Sequence, residues 1–241
     1  MLDITSSRSL TSDIPDIPCL LIVEGRYQNW IKPVVFFEAL GVPWQPVVLD
    51  REAAAADWFR KIHPQLYVPA LIDNADGERV QIWDSSTILM YLGHRYDAEK
   101  QFVGRSAQEH VEIGNWLMFE TASLGPTAKY WVWYDMRTGA DINQKAQDKY
   151  LFPMMVDLKK QYSILNQRLS EPGQKWIALK DRPSIADISI LPFTDHNTLA
   201  RMQLDIQMWP ALANWYKRMM ELPYVKKAYD ELESRPAKRI V

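Results

Sequence analysis

Side chains able to do chemistry are few in this chain of 241 residues. Cys19 is its single cysteine, and it lies inside the apolar run Cys19-Leu20-Leu21-Ile22-Val23. Burial in such a run disfavours the thiolate, the form that attacks and ligates, so Cys19 reads as a small core residue. The four histidines, His63, His94, His110 and His196, show neither His-x-x-x-His nor Cys/His spacing, and no metal site is expected. No two glycines stand two residues apart, which excludes the dinucleotide-binding fingerprint; a P-loop and a Gly-x-Ser-x-Gly elbow are missing too. The chain lacks a convincing nucleophile of its own. If it is an enzyme, its reactive group arrives with a ligand.

The elements that would position a ligand begin with that apolar run, a buried strand bounded by Pro18 and Gly25. Residues 32–40 carry helical spacing (Val34, Phe37 and Leu40) and stop at Gly41, a C′ residue. Pro33 suits the first helical position, which would leave Asn29 in the approach loop. A second strand is expected over 44–49 and a second helix over 51–62, interrupted at His63-Pro64 because the residue before proline avoids helix. Segments 69–72 and 80–83 bracket Asn74-Ala75-Asp76-Gly77 and read as an antiparallel hairpin. Asp84-Ser85-Ser86-Thr87 then opens a helix whose apolar face includes Ile88, Leu89, Leu92 and Tyr96. The order is βαβαββα.

Beyond residue 97 only helical periodicity is found, over 107–124, 142–169, 185–199, 210–222 and 225–232. Breaks are expected at Gly125-Pro126, Glu171-Pro172-Gly173 and Leu222-Pro223. The fold class is therefore α/β followed by all-α. The expected division is a flexible tail over 1–17, a mixed domain over 18–97, a linker over 98–105 and a helical domain over 106–241. A net charge of −2 with interspersed signs argues against nucleic acid or a membrane surface as partner. No segment approaches the roughly 20 apolar residues that span a bilayer. The N-terminal segment has no central apolar stretch, so a cytoplasmic location is expected.

Tyr67-Val68-Pro69-Ala70-Leu71, followed by Trp83-Asp84-Ser85-Ser86, resembles the glutathione-binding elements of cytosolic glutathione transferases. Pro183-Ser184-Ile185-Ala186-Asp187-Ile188 resembles that family's buried capping box, with Ser184 as N-cap and Asp187 at N3. Asn29-Trp30-Ile31-Lys32-Pro33, Leu124-Gly125-Pro126-Thr127-Ala128-Lys129-Tyr130-Trp131 and Ala178-Leu179-Lys180-Asp181-Arg182-Pro183 are similar to the fungal members that serve secondary-metabolite pathways. The resemblance covers about residues 18–235.

It implies a thioredoxin-like front domain that binds glutathione and a helical back domain that binds a hydrophobic substrate. In the family the proline is cis, and here Val68 would pair through its backbone with the cysteinyl part of the tripeptide, beside Pro69. Ser85 would hold the γ-glutamyl carboxylate at a helix N-terminus, and Asp84, shorter than the family's usual Glu or Gln, would offset the ammonium. Two residues compete to activate the thiol. Asn29 matches the fungal Asn-x-x-Lys spacing, with helix capping as its structural alternative; Tyr27 would mimic the tyrosine of the animal classes. His63 leads Arg51 and Lys61 as the partner of the glycyl carboxylate, against the alternative of a plain loop histidine. Asn115, Phe119, Ser123, Leu124, Tyr130 and Trp131 would line the second pocket, unless they are helix-packing core. The family also implies a homodimer. Its chemistry includes conjugation and glutathione-assisted cis–trans isomerisation, and some members act as regulators without catalysis.

Overall fold

A computed structural model describes residues 2–4, 17–25, 27–75, 77–138, 149 and 151–234. The chain divides into two compact units, residues 1–98 with 223–241, and residues 99–222. The first contains a five-stranded sheet in the order β1-β3-β2-β4-β5. The strands are β1 (Leu2–Ile4), β2 (Cys19–Val23), β3 (Gln45–Leu49), β4 (Ala70–Ala75) and β5 (Glu78–Trp83). The thioredoxin-like part is the run β3-β2-β4-β5: β2 lies parallel to β3 and antiparallel to β4, and β4 forms the expected hairpin with β5. The edge strand β1 runs parallel to β3, so part of the segment read as a tail is paired; residues 5–16 lie outside the described residues.

Alternation along the strands divides the core. Cys19, Leu21, Val47, Leu49, Ala70 and Ile72 share one cluster with Ala53, Phe59 and Ile62 of the helices after β3. Those helices, α2 (Arg51–Ala55) and α3 (Asp57–Ile62), replace the single helix expected over 51–62. The chain is extended at Ala56 (φ −74°, ψ 150°) and restarts there; Asp50 caps α2 by accepting from the Ala53 N–H at 2.7 Å. On the other face, Leu20, Ile22 and Leu71 are buried, and α4 (Ser85–Tyr96) packs on β4 and β5.

Against α4 lies α1, which spans Gln28–Leu40 and ends at Gly41 in the left-handed conformation (φ 64°), as its C′ position requires. This helix starts four residues earlier than its spacing suggested and carries Pro33 inside it. An interior proline costs about 3 kcal/mol, since its ring crowds the preceding turn and its missing N–H leaves the carbonyl four residues back unpaired. Burial of Trp30, Ile31, Val34, Val35, Phe36 and Phe37 outweighs that, each large apolar side chain contributing roughly 1.5–3 kcal/mol. The last helix among the described residues, Pro223–Ser234, packs on α1 and groups with this unit, whereas the sequence placed it with the helical domain.

In the second unit every regular element among the described residues is a helix. Its first helix, α5 (Ala107–Phe119), passes through a π-helical turn (Glu120–Leu124) into α6 (Gly125–Thr138). The break expected at Gly125-Pro126 is therefore a bulge within a continuing helix. The wider turn absorbs a proline that cannot donate. Gly125 is required for space: a Cβ there would stand 2.5 Å from Oε1 of the buried Glu120, which accepts from Ser189 Oγ at 2.7 Å. Gly125→Ala is expected to destabilise the protein by about 1–3 kcal/mol, read as a lowered thermal midpoint.

The chain continues with α7 (Phe152–Leu169), α8 (Ile185–Ile190), α9 (His196–Arg201), α10 (Pro210–Glu221) and, in the first unit, α11 (Pro223–Ser234). Of the helix expected over 142–169, Phe152–Leu169 is found, and residues 142–148 and 150 lie outside the described residues. That expected over 185–199 splits at a 3-10 turn, Leu191–Phe193, where Pro192 interrupts the bonding pattern. The capping box at the start of α8 forms as expected: Asp187 accepts from the Ser184 N–H at 2.9 Å and Ser184 Oγ from the Ala186 N–H at 3.3 Å.

Candidate functional site

The polar residues singled out in the first unit meet where three elements begin or end. Before β4, the Val68–Pro69 peptide bond is cis. Val68 lies outside the β2–β4 ladder, whose last pair is Leu21–Ala70, so that ladder does not take up its backbone N–H and C=O. After β5 comes Asp84, with φ 69° and ψ 131°. A non-glycine residue there costs roughly 1–2 kcal/mol. The carboxylate offsets this locally: Oδ1 accepts from the N–H of Ser86 at 2.9 Å and of Thr87 at 3.3 Å, capping α4.

This cap leaves one amide over. The Ile88 N–H is bound to the Asp84 carbonyl at 3.0 Å, while the Ser85 N–H has no partner among the described residues. Ser85 Oγ accepts from Lys32 Nζ at 3.2 Å. A hydroxyl that accepts from an ammonium still has its own proton to donate. Ser85 therefore presents an N–H and an O–H together at the positive end of α4, a pairing suited to a carboxylate.

Lys32 was not foreseen as a site residue. It is 1% exposed, held within α1 with its amine at Ser85. The only signal in the sequence was its spacing from Asn29, three residues away and so on the same side of the helix. Asn29 itself is the second residue of α1, inside the helix and not in the approach loop. It does not cap the helix either: Tyr27 occupies the N-cap position without a side-chain bond. The half-buried Asn29 amide has no hydrogen-bond partner among the described residues. Tyr27 is exposed, with its ring edge against Gly25.

His63 closes α3 and is buried beside Trp83, Tyr67 and Phe59, with ring centroids 5.2, 5.8 and 6.4 Å away. Its Nδ1 accepts from the Gln65 N–H at 3.3 Å, which leaves the ring proton on Nε2. Burial lowers its pKa below the usual histidine value, and the nearby Asp84 charge opposes that shift only in part. The ring is thus uncharged at neutral pH and can offer one N–H, not a cation. Between its folded pKa and the unfolded value of 6.5, the unfolded chain binds more protons, so stability falls as pH drops through that window. Chemical denaturation midpoints are expected to show this slope, and His63→Gln to flatten it.

Cys19 is buried, and its thiol is pushed up to about 11, first by burial and then by the Asp73 charge. It stays a thiol and takes no part. Among the described residues no cluster of three or more His, Cys, Asp or Glu could hold a metal ion, and no helix is long and apolar enough to cross a membrane.

A family model described as "Glutathione S-transferase, N-terminal domain" matches residues 31–100, and one described as "Glutathione S-transferase, C-terminal domain" matches residues 131–223. The chain is 52% identical over 230 residues to glutathione S-transferase verG of Clonostachys rogersoniana, covering 95% of each chain. The chain belongs to the glutathione S-transferase family. It is also 36% identical to glutathione S-transferase aclG of Aspergillus oryzae, over 85% of this chain and 89% of that one. The fold matches glutathione transferase URE2P6 of Phanerochaete chrysosporium, solved with oxidised glutathione, at a TM-score of 0.80 and 22% identity, over 92% of this chain and 98% of that one.

Family membership gives the second unit's candidates their context. Asn115 is exposed on α5, Phe119 is half-buried edge-on to Trp116, Ser123 is half-buried in the π turn, and Tyr130 is half-exposed on α6. Leu124 and Trp131 are 0% and 4% exposed, which fits the alternative of helix-packing core at those two positions. Their spacing had not separated the inner from the outer face of a helix whose phase shifts at the π turn. Around this turn of α6, Tyr130 and Trp133 are outward and Trp131 inward.

Proposed function

We propose that the protein is a glutathione-dependent transferase that adds the glutathione thiolate to an electrophilic, hydrophobic small molecule, a fungal secondary metabolite. In this reading the tripeptide runs along Val68 and Pro69, its γ-glutamyl carboxylate meets the N–H and O–H of Ser85, and Asp84 faces its ammonium. His63 donates through Nε2 to the glycyl carboxylate. The observation that carries the reading is the paired, unclaimed donors of Ser85 at the start of α4.

The chemistry follows from the thiol. At pKa about 8.5 only a few per cent is ionised at neutral pH, and a depression of about two units makes the thiolate the major form. Asn29 supplies the depression, because its amide N–H₂ donates to sulfur without losing a proton. The thiol proton passes to solvent, sulfur forms a bond to an electrophilic carbon, and either a leaving group departs or the resulting carbanion is protonated. Asn115, Phe119, Ser123 and Tyr130 contact the electrophile. A homodimer is part of the reading, carried over from the family, and sedimentation of the full chain tests it.

Incubation with glutathione and a panel of electrophilic metabolites, followed by mass spectrometry and a thiol count, tests the reaction. The expected result is an adduct of both reactants, with one glutathione lost for each product formed. Recovery of all the glutathione beside an isomerised olefin would replace conjugation with isomerisation. A bound thiol that keeps its solution pKa would leave only a binding protein.

A further inference from the structure

A lysine in the interior of a domain is costly. Its ammonium is strongly hydrated in water, and burial gives up that hydration, which partners inside the fold must offset. Lys32 is nonetheless 1% exposed, among the largest fully buried side chains of the chain, and its Nζ lies 3.2 Å from Ser85 Oγ. The two residues are 53 positions apart, on different helices. A buried lysine whose role was only to fill volume between α1 and α4 would be replaced by a methionine at no electrostatic cost.

The direction of this hydrogen bond matters. An ammonium has three donors and no acceptor, so it engages a lone pair of the serine oxygen and leaves the hydroxyl proton to be given elsewhere. An isolated serine hydroxyl rotates and divides its proton among several acceptors, including helical carbonyls of its own turn. With Lys32 in place, one lone pair is occupied by a cation, the rotor loses orientations, and the O–H bond is polarised in the sense that strengthens donation to an anion. Asp84 sets the other half of the pair. Its carboxylate holds the amides of Ser86 and Thr87, so that of Ser85 is the one left.

We propose that Lys32 is a positioning residue for the γ-glutamyl carboxylate of glutathione, acting through Ser85: it fixes and polarises the serine hydroxyl as a donor to that carboxylate and brings a buried positive charge behind it. This rests on the glutathione reading above and adds to it a residue that determines specificity for the carboxylate-bearing end of the peptide. Its amine meets Ser85, at the γ-glutamyl end of the proposed site, so in this reading Lys32 governs affinity and leaves the chemical step alone.

The test is calorimetric titration of the full chain with glutathione and with 4-aminobutyryl-cysteinyl-glycine, which lacks only the γ-glutamyl α-carboxylate. For Lys32→Met the expected result is glutathione binding weakened roughly 10- to 100-fold, the span of a charge-assisted hydrogen bond, with the analogue's affinity changed by less than about twofold. Lys32→Arg, which keeps the charge, is expected to recover part of the loss. In a Ser85→Ala background, Lys32→Met should weaken glutathione binding much less, because the route through the hydroxyl is already gone. Steady-state assays of Lys32→Met should show a raised KM for glutathione with kcat nearly unchanged. Should Lys32→Met fail to fold, Lys32→Gln, which keeps a donor without the charge, takes its place with the same expected selectivity. Equal weakening of both peptides, or of neither, would overturn the proposal and reduce Lys32 to a packing residue. A wild-type chain that binds neither peptide would instead remove the glutathione reading itself.

Discussion

Replacing Asn29 by alanine is expected to lower kcat/KM for conjugation at neutral pH by roughly 3- to 25-fold, the loss of thiolate that a rise of about 1–2 units in the thiol pKa brings. The side chain sits at the second position of α1, half-buried and without a partner among the described residues, so none of those residues competes for its amide. Its loss should raise the pKa of bound glutathione's thiol by about 1–2 units, the equivalent of a hydrogen bond to a charged group. Affinity for the tripeptide should change little at high pH, where the thiolate forms regardless. Thiolate absorbance followed against pH reads the shift directly. Tyr27→Phe is the control: its ring lies exposed against Gly25, and the thiol pKa is expected to stay in place. If Tyr27→Phe raises the pKa and Asn29→Ala does not, the roles of the two residues are exchanged.

The largest effect on stability is expected at Asp187, in the capping box of the second unit. Both of its carboxylate oxygens are buried and shared. Oδ1 accepts from the Ile177 N–H at 2.7 Å and from Trp215 Nε1 at 2.8 Å; Oδ2 accepts from the Ser184 N–H at 2.9 Å and from Ser184 Oγ at 3.0 Å. Burial by itself pushes the pKa of Asp187 up, and these donors pull it back. Asp187→Ala strands each donor in the interior, where an unpaired group costs about 1–3 kcal/mol. The sum reaches about 4 kcal/mol or more, a large share of the 5–15 kcal/mol that holds an ordinary domain folded. Thermal unfolding should show a fall of about 10 °C or more, or no cooperative transition at all. Asp187→Asn should fall between, since one amide oxygen can replace Oδ1 while the NH₂ group faces the Ser184 donors. An alanine variant within a degree or two of wild type would show that the helical unit does not depend on this box.

The parts readable in the sequence were those where one local rule acts alone. The apolar run at Cys19, the hairpin expected around Asn74–Gly77 and the serine-led helix start at Ser184 each carry their own punctuation; all three form, the hairpin with its strands extended to Ala75 and from Glu78. Elsewhere a local rule lost to packing. Pro33 argued for a helix beginning near it, yet the apolar residues on both sides of it bury so thoroughly that α1 runs through. At Gly125-Pro126 the same residue type argued for a break, and the π turn accommodates it. No rule of propensity foretold that Pro223–Ser234, an ordinary amphipathic helix, would pack on α1, where Lys227 reaches Glu38 at 2.6 Å. Within the site, Ser85 and Val68 followed from family motifs, and the cis bond before Pro69 was expected on the same ground. Lys32 escaped because a lysine in a helix reads as a solvated surface residue, and its burial depends on the approach of α4, a contact between residues 53 apart.

The claim on which the rest depends is that glutathione lies against the first unit with its γ-glutamyl end at Ser85. A crystal structure of the chain grown with glutathione tests it most directly. The expected density places the peptide's α-carboxylate within hydrogen-bonding distance of the Ser85 N–H and Oγ, its cysteinyl backbone beside Val68, and its sulfur within reach of the Asn29 amide. A structure from saturating glutathione in which Ser85 and Val68 contact only protein or water would contradict the account.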